Sequence, residues 1–417
     1  MRNPEKYIYS FFAILFVYIA SIGVLFPKGS IVTKVMGIFF FLYILLLNLK
    51  YVKLVYFKSF VLFLLYFFIL VLLTSDVESS LKLYLKFSLS LLIFPLSFTL
   101  INTPKKLKGL YLSLLVVVVL YIINLALSNL LHLGGTSYSE DGIEVGNIFS
   151  EGLNSMAYLV VATPLFLYFF PNRKNILLPL MVLVMILVLI QLKRISIIAM
   201  AFGILMFLIM YKKRTQAIVG FVAVAITFLL VFPIFEDIFY KQLEARERKL
   251  QVENLQNEGR ILETQWILKE NSANVFNLLF GKEMFNSAGN YGNPFSKERQ
   301  IHSDYNAFLH GSGFIGLIIY LVFQGSIFYA YLKIRRKLLA SKIKSDLLSL
   351  MLFIFPTFFA MGFIIMISGG IYSMLFNSIR YVVLGSSLGF LYNLSYRLKK
   401  QKLRRLSIAR NQEIQAL

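Results

Sequence analysis

Apolar runs long enough to cross about 30 Å of hydrocarbon, roughly 17 to 25 residues each, recur along the whole chain. Twelve are marked, near 7–26, 31–49, 59–74, 81–101, 109–131, 153–170, 176–192, 195–211, 217–235, 312–332, 347–368 and 371–393. Each stops at Pro, Gly, Asn or charge, as at Phe26-Pro27-Lys28-Gly29, Asn102-Thr103-Pro104-Lys105, Phe170-Pro171-Asn172-Arg173 and Ser368-Gly369-Gly370. Backbone polar groups in lipid must be satisfied within the segment, so runs of this length predict helices. The pattern therefore predicts an all-α integral membrane protein with about 12 transmembrane helices. The first run has no small-residue cleavage site behind it and leads straight into the second, so it reads as a retained helix.

The polar connections alternate in charge. With the N-terminus in the cytoplasm, one set carries 26 of the 42 Lys and Arg residues. That set includes Lys105, Lys106 and Lys108, the six basic residues between Lys333 and Lys344, and the seven from Arg397 to Arg410. The short opposite connections hold only Lys28, Lys34, Lys193 and Arg194. Two of them are acidic, with Asp76 and Glu78 in one and Glu140, Asp141, Glu144 and Glu151 in the other. Basic residues collect on the cytoplasmic side, so both termini are placed there. Most of the +22 net charge is then a topogenic signal with attraction to anionic lipid, and nucleic acid drops out as a partner.

One connection breaks the pattern. Residues 236–311, between the ninth and tenth spans, carry nine basic and eleven acidic residues and the single Trp, Trp266. From Glu236 to Lys269 charges fall three and four apart among Leu243, Leu250, Leu255, Ile261 and Leu262, which predicts an amphipathic helix over the bundle. Asn286 to Ser296 reads as loop, and the Gly-rich, acidic connection from His132 to Gly152 as the facing wall of a cleft. The chain thus divides into a nine-helix membrane region (1–235), an external loop with interfacial helices (236–311), a three-helix membrane region (312–393) and a basic cytoplasmic tail (394–417).

Composition narrows the chemistry. With 58% apolar and 15% charged residues, a soluble globule of 417 residues is excluded. No cysteine is present, so disulfides, thiolate metal sites and thiol nucleophiles are excluded too. No cluster with metal-ligand spacing and no nucleotide-binding loop is visible, so neither a metal nor another cofactor is expected.

The informative residues are those that topology disfavours. Lys193-Arg194 stands at the external end of the seventh and eighth spans, and Arg380 about mid-span in the twelfth. A charge at the bilayer centre costs at least ~2.5 to 3.5 kcal/mol, so it faces a polar cavity or a partner. Two readings stand. In one, Arg194 snorkels to the surface and Arg380 pairs with a backbone carbonyl or a lipid phosphate. In the other, both ring a diphosphate site together with Arg260, because guanidinium forks match phosphate oxygens bidentately. His302, in the run Ile301-His302-Ser303-Asp304-Tyr305-Asn306, is a candidate general base, with Asp304 to orient or replace it. His310 and His132 read as interfacial anchors.

Gly259-Arg260 with Trp266 six residues on, Leu279-Phe280-Gly281-Lys282, and His302-Ser-Asp-Tyr-Asn followed by Gly313 and Gly316 together resemble the O-antigen polymerase and O-antigen ligase superfamily. Lys193-Arg194-Ile195-Ser196 and Gly152-Leu153-Asn154-Ser155-Met156-Ala157, each opening a span, look like that family as well. The resemblance covers roughly residues 150–325. Glu283 stands where a second Gly is expected after Gly281, and the Arg194 run lacks the family's small Ser-Arg-Gly pattern.

The resemblance implies a bacterial inner-membrane protein with one large periplasmic loop. Its implied activity is transfer of a sugar chain from an undecaprenyl diphosphate donor to a lipid-linked repeat unit, with Arg194, Arg260 and Arg380 on the diphosphate and His302 or Asp304 as base. A chain-length regulator and a flippase are the implied protein partners. A ligase delivering the polymer to lipid A core is the neighbouring alternative. A polysaccharide flippase or secondary transporter is the alternative from another class, and it predicts symmetric halves with charges along a midplane path.

Overall fold

The computed structural model describes residues 4–17, 30–47, 57–130, 152–190, 194–210, 259–286, 288–289, 299–341, 345–370 and 373–416, with the single positions 233, 236, 240 and 343. The expected span at 217–235, the 132–151 connection with His132, Lys193, and nearly all of 236–258 fall outside the described residues.

Among the described residues, the first five helices are α1 (Glu5–Val17), α2 (Ser30–Leu47), α3 (Phe57–Leu72), α4 (Val77–Leu100) and α5 (Pro104–Leu130). Next come α6 (Gly152–Val161), α7 (Thr163–Phe169), α8 (Lys174–Ile190) and α9 (Arg194–Met210). The chain closes with α10 (Gly259–Ser272), α11 (Val275–Phe280), α12 (Asp304–Ala340), α13 (Asp346–Met366) and α14 (Met374–Ala416). The one strand pairing among the described residues joins Ala288–Gly289, in the segment expected to be loop, to Arg299–Gln300 beyond it in an antiparallel register. Among the described residues, six helical stretches are long and apolar enough to cross a membrane: Val77–Leu100, Pro104–Leu127, Pro171–Leu189, Asp304–Ala340, Asp346–Met366 and Met374–Gln401. Lys58–Leu72 and Arg194–Ile209 are apolar but shorter. The protein is an all-α, multi-pass membrane protein.

Three boundaries differ from the sequence pattern, each for a local reason. The run at 153–170 is two helices, because Pro164 at the start of α7 has no N–H to continue the ladder and the chain breaks at Ala162. Helix α12 starts eight residues before the expected span, at Asp304, and bends at Gly313, where φ is +60°. Finally, α14 continues beyond residue 393 as helix to Ala416 instead of ending at the membrane.

At the centre α14 lies along α4, and its span is enclosed by neighbouring helices. Around the pair, α2 covers α4, α13 and α6 cover α14, α9 packs on α13, and α3 packs on α12. Aromatic contacts fill the gap between α3 and α12: Phe63 stacks on Phe323 with centroids 5.3 Å apart, and Phe67 meets Phe308 edge-on at 5.3 Å. The part of α12 before Gly313 folds over one end of this bundle, beneath α10 and α11.

Candidate functional site at one end of the bundle

Glycines make the fold over that end possible. A Cβ on Gly281 (φ +80°) would overlap the Gly311–Ser312 backbone, and one on Gly313 would overlap the backbone of Leu279. Only residues without a side chain let α11 cross the bend this closely. Lys282 N–H donates to the His310 carbonyl at 2.8 Å and locks the crossing. Glu283, the departure from the family pattern, has its own task here. Its Oε2 accepts from Ser75 N at 3.0 Å, Ser75 Oγ at 3.2 Å and Asn286 Nδ2 at 3.2 Å, tying this turn to the α3–α4 connection.

Helix α10 runs along the first part of α12. Glu263, Ile267 and Asn271, spaced four apart on one face, are all fully buried. Glu263 Oε2 accepts from His302 N at 3.0 Å, while Oε1 accepts from Ser303 N at 3.2 Å and Asn306 Nδ2 at 2.9 Å. Asn271 Nδ2 donates to the Leu309 carbonyl at 2.9 Å. This register puts the backbone of Arg260, one turn before Glu263, beside the chain entering α12.

On the opposite side the same run meets the turn between α13 and α14. Asp304 is buried, and both its oxygens accept from Gly370 N at 2.9 Å. Gly369 (φ +84°) sits so close to the His302 carbonyl that a Cβ would overlap it. Gly370 O in turn accepts from Asn377 Nδ2 at 2.7 Å. One turn further along α14 is Arg380.

Arg380 is almost wholly buried, at 1% exposure. Its guanidinium lies flat against Gly362, where a Cβ would overlap it, with the rings of Tyr381 at 5.3 Å and Phe363 at 5.8 Å. Its Nη1 is 4.0 Å from Met366 Sδ, which also accepts from Tyr320 OH at 3.0 Å. Among the described residues Nε and Nη2 have no hydrogen-bond partner. Ring quadrupoles stabilise the cation only in part, and a buried charge with open donors costs several kcal/mol. Tyr305 and Tyr320 lie within electrostatic reach of both Asp304 and Arg380, so the two charges share one region.

The structure places four of the five candidates at this end and leaves the side chain of the fifth outside the description. Arg194 is the exposed first residue of α9. In α9, Gly203 faces Met361 of α13 and Phe207 faces Phe353, so the two helices are antiparallel and Arg194 reaches the level where α13 ends. His302 is exposed, two residues before the buried Asp304. The backbone of Arg260 is here, and its side chain is the part not described. Two expectations change. Arg380 is not mid-span: it sits six residues into α14, about 9 Å along the helix from Met374, because α14 starts late after the Gly369–Gly370 turn. His310 is not an interfacial anchor. It is buried under α10 with Nε2 3.5 Å from Glu270, whose other oxygen holds Lys282 Nζ at 2.6 Å.

Sequence reasoning missed Glu263, Asn306, Asn377 and the Gly369–Gly370 turn. The usable signal was the Glu263, Ile267, Asn271 spacing, which puts a carboxylate and an amide on the face of α10 that carries the buried Ile267. Comparison with known family models and with curated proteins returns no match to this chain.

Proposed function

We propose that the protein is a surface-polysaccharide polymerase of the bacterial inner membrane, elongating a lipid-linked glycan on the periplasmic side. On this reading the chain has about twelve spans, both termini are cytoplasmic, and the polar end of the bundle faces the periplasm. The observation that carries it is Arg380. A buried guanidinium with two open donors, at the same end as an exposed histidine and a second arginine, is the arrangement that a diphosphate leaving group calls for.

In the reaction, the acceptor sugar hydroxyl attacks the anomeric carbon of the donor chain. The bond from that carbon to the diphosphate oxygen breaks, and its electron pair leaves on undecaprenyl diphosphate. His302 takes the hydroxyl proton, and Arg194, Arg260 and Arg380 stabilise the charge that develops on the leaving group. Atoms and electrons balance without a further reactant.

The test is purified protein in detergent with undecaprenyl diphosphate-linked repeat units, measuring product length against donor concentration. Wild type should lengthen the glycan. His302→Ala should lower turnover about 10²- to 10⁴-fold at unchanged donor affinity, the range for loss of a general base. Arg260→Ala should instead be partly overcome by more donor. Transfer to lipid A core but not to a second repeat unit would make the protein a ligase, and glycan crossing a vesicle membrane without lengthening would make it a flippase.

A further inference from the structure

We infer that Glu263 is a positioning residue, fixing the backbone of His302 so that its imidazole meets the acceptor hydroxyl. The inference rests on the polymerase reading above. Glu263 is fully buried, and its carboxylate accepts hydrogen bonds from His302, Ser303 and Asn306, all within one short run. Ser303 is the N-cap residue of α12, yet its own side chain makes no capping bond. Glu263 on α10 instead accepts the N–H of this N-cap residue from outside, and the carboxylate charge suits the positive end of α12.

A role confined to anchoring α10 would not need a charge. Ile267, Ile301, Ala307 and Leu309 already form an apolar contact between α10 and the chain that enters and begins α12. A carboxylate buried beside them is costly unless it is fully hydrogen-bonded, and here these bonds converge on the peptide carrying the candidate base. Gly369 and Gly370 grip the same run from the other side, through the His302 carbonyl and Asp304. Residues 302–304 are therefore held at His302 N–H, Ser303 N–H and the Asp304 carboxylate, while His302 itself is exposed. A misplacement of about 1 Å at a reacting group can lower a rate about 10²-fold, so such a clamp has a kinetic signature.

The experiment uses the full-length protein in the lipid-linked donor assay. Glu263→Gln keeps the volume but turns one acceptor into a donor facing an N–H. Turnover per folded molecule should fall about 10- to 100-fold with donor KM within about twofold. Adding Asn306→Asp should restore part of the turnover. The introduced amide, placed where Oε1 stood, then donates to the introduced carboxylate, and its oxygen, in the place of Oε2, keeps the bond from the His302 N–H. Wild-type turnover in E263Q would overturn the inference. So would a loss that only tracks the amount of folded protein and is not rescued by N306D. If wild type itself makes no polymer, the polymerase reading has failed, and the clamp is then read separately by hydrogen exchange. The peptide covering residues 300–306 should lose protection at least about tenfold in E263Q, and unchanged protection would remove Glu263 as the clamp.

Discussion

The two halves of the α14 span are built on opposite principles. From Gly385 onward it lies against α4 through small residues: Gly385 beside Ser97 and the Phe94 carbonyl, Gly389 beside the Phe98 backbone. Most polar groups there are neutral and satisfied locally, with Ser97 Oγ donating to the Phe94 carbonyl and Thr99 Oγ1 to the Pro95 carbonyl, while among the described residues the Ser387 hydroxyl has no partner. This is how helices associate in lipid, by close backbone approach and internal pairing. At the other end, two turns earlier, Asn377 and Arg380 face a glycine turn, a buried aspartate and an aromatic cage, and the guanidinium keeps open donors. One end is optimised for packing, while the other holds a charge that packing does not need. A fold tolerates such a charge where something binds.

Replacing that charge should therefore separate activity from stability most widely. Arg380→Met fills the cage with an apolar chain of similar length and removes an unpaired cation. The melting temperature should stay level or rise, because apolar replacements of buried charges are often neutral or stabilising. Polymer formation should fall by about 10²- to 10³-fold, the usual loss for one preorganised donor to a developing anion. Arg380→Lys should be nearly as inactive, since an ammonium keeps charge but not the planar fork lying on Gly362. Wild-type product length from either variant, on gels of the lipid-linked glycan, would make Arg380 purely structural.

The reciprocal change belongs at the packing end. Gly389→Val places a branched side chain where a single Cβ already overlaps the Phe98 backbone. Overpacking of this kind costs about 1 to 3 kcal/mol and more where backbone must move. Thermal unfolding in detergent should show a clear drop, and the activity of the molecules that remain folded should stay close to wild type. A fall in turnover per folded molecule larger than the fall in stability would mean that the two ends of α14 are coupled.

The contrast also explains what the sequence could reveal. Long apolar runs such as 347–368, now α13, were legible because lipid imposes a simple length and hydropathy rule. The first part of α12 was not, since Gly311-Ser312-Gly313 looks like a place where a helix starts, and only contacts with α10 and α11 extend it back to Asp304. At the site, His302 and Arg380 stood out as polar groups in unusual surroundings. Glu263 did not, because one glutamate among eleven acidic residues in an external loop resembles a solvated charge. Its burial is a tertiary fact. Gly369 and Gly370 read as a span ending, whereas in the fold they also admit the His302 carbonyl and bond Asp304.

The smallest effect is expected from a charge at the same end that is fully exposed. Asp76 caps α4, with Oδ1 accepting from Ser79 N at 3.0 Å. Hydrogen bonds from the Ser79 side chain and then its amide, with smaller help from Lys82, hold its carboxyl below the usual carboxylate range. A lowered value in the folded state means that the charged cap stabilises fully above the unfolded carboxylate range, and that this stabilisation disappears as pH falls through the folded value. Asp76→Asn keeps an acceptor for the cap but cannot titrate, whereas Asp76→Ala removes the acceptor as well. At neutral pH melting temperatures should order wild type, then Asn, then Ala, with small intervals because solvent screens the charge. On acidification the wild-type and Asn curves should converge, while Ala stays below both. Polymer length should be the same in all three, in contrast to Arg380. A gap between wild type and Asn that persists in strong acid would show that the cap does not act through its charge.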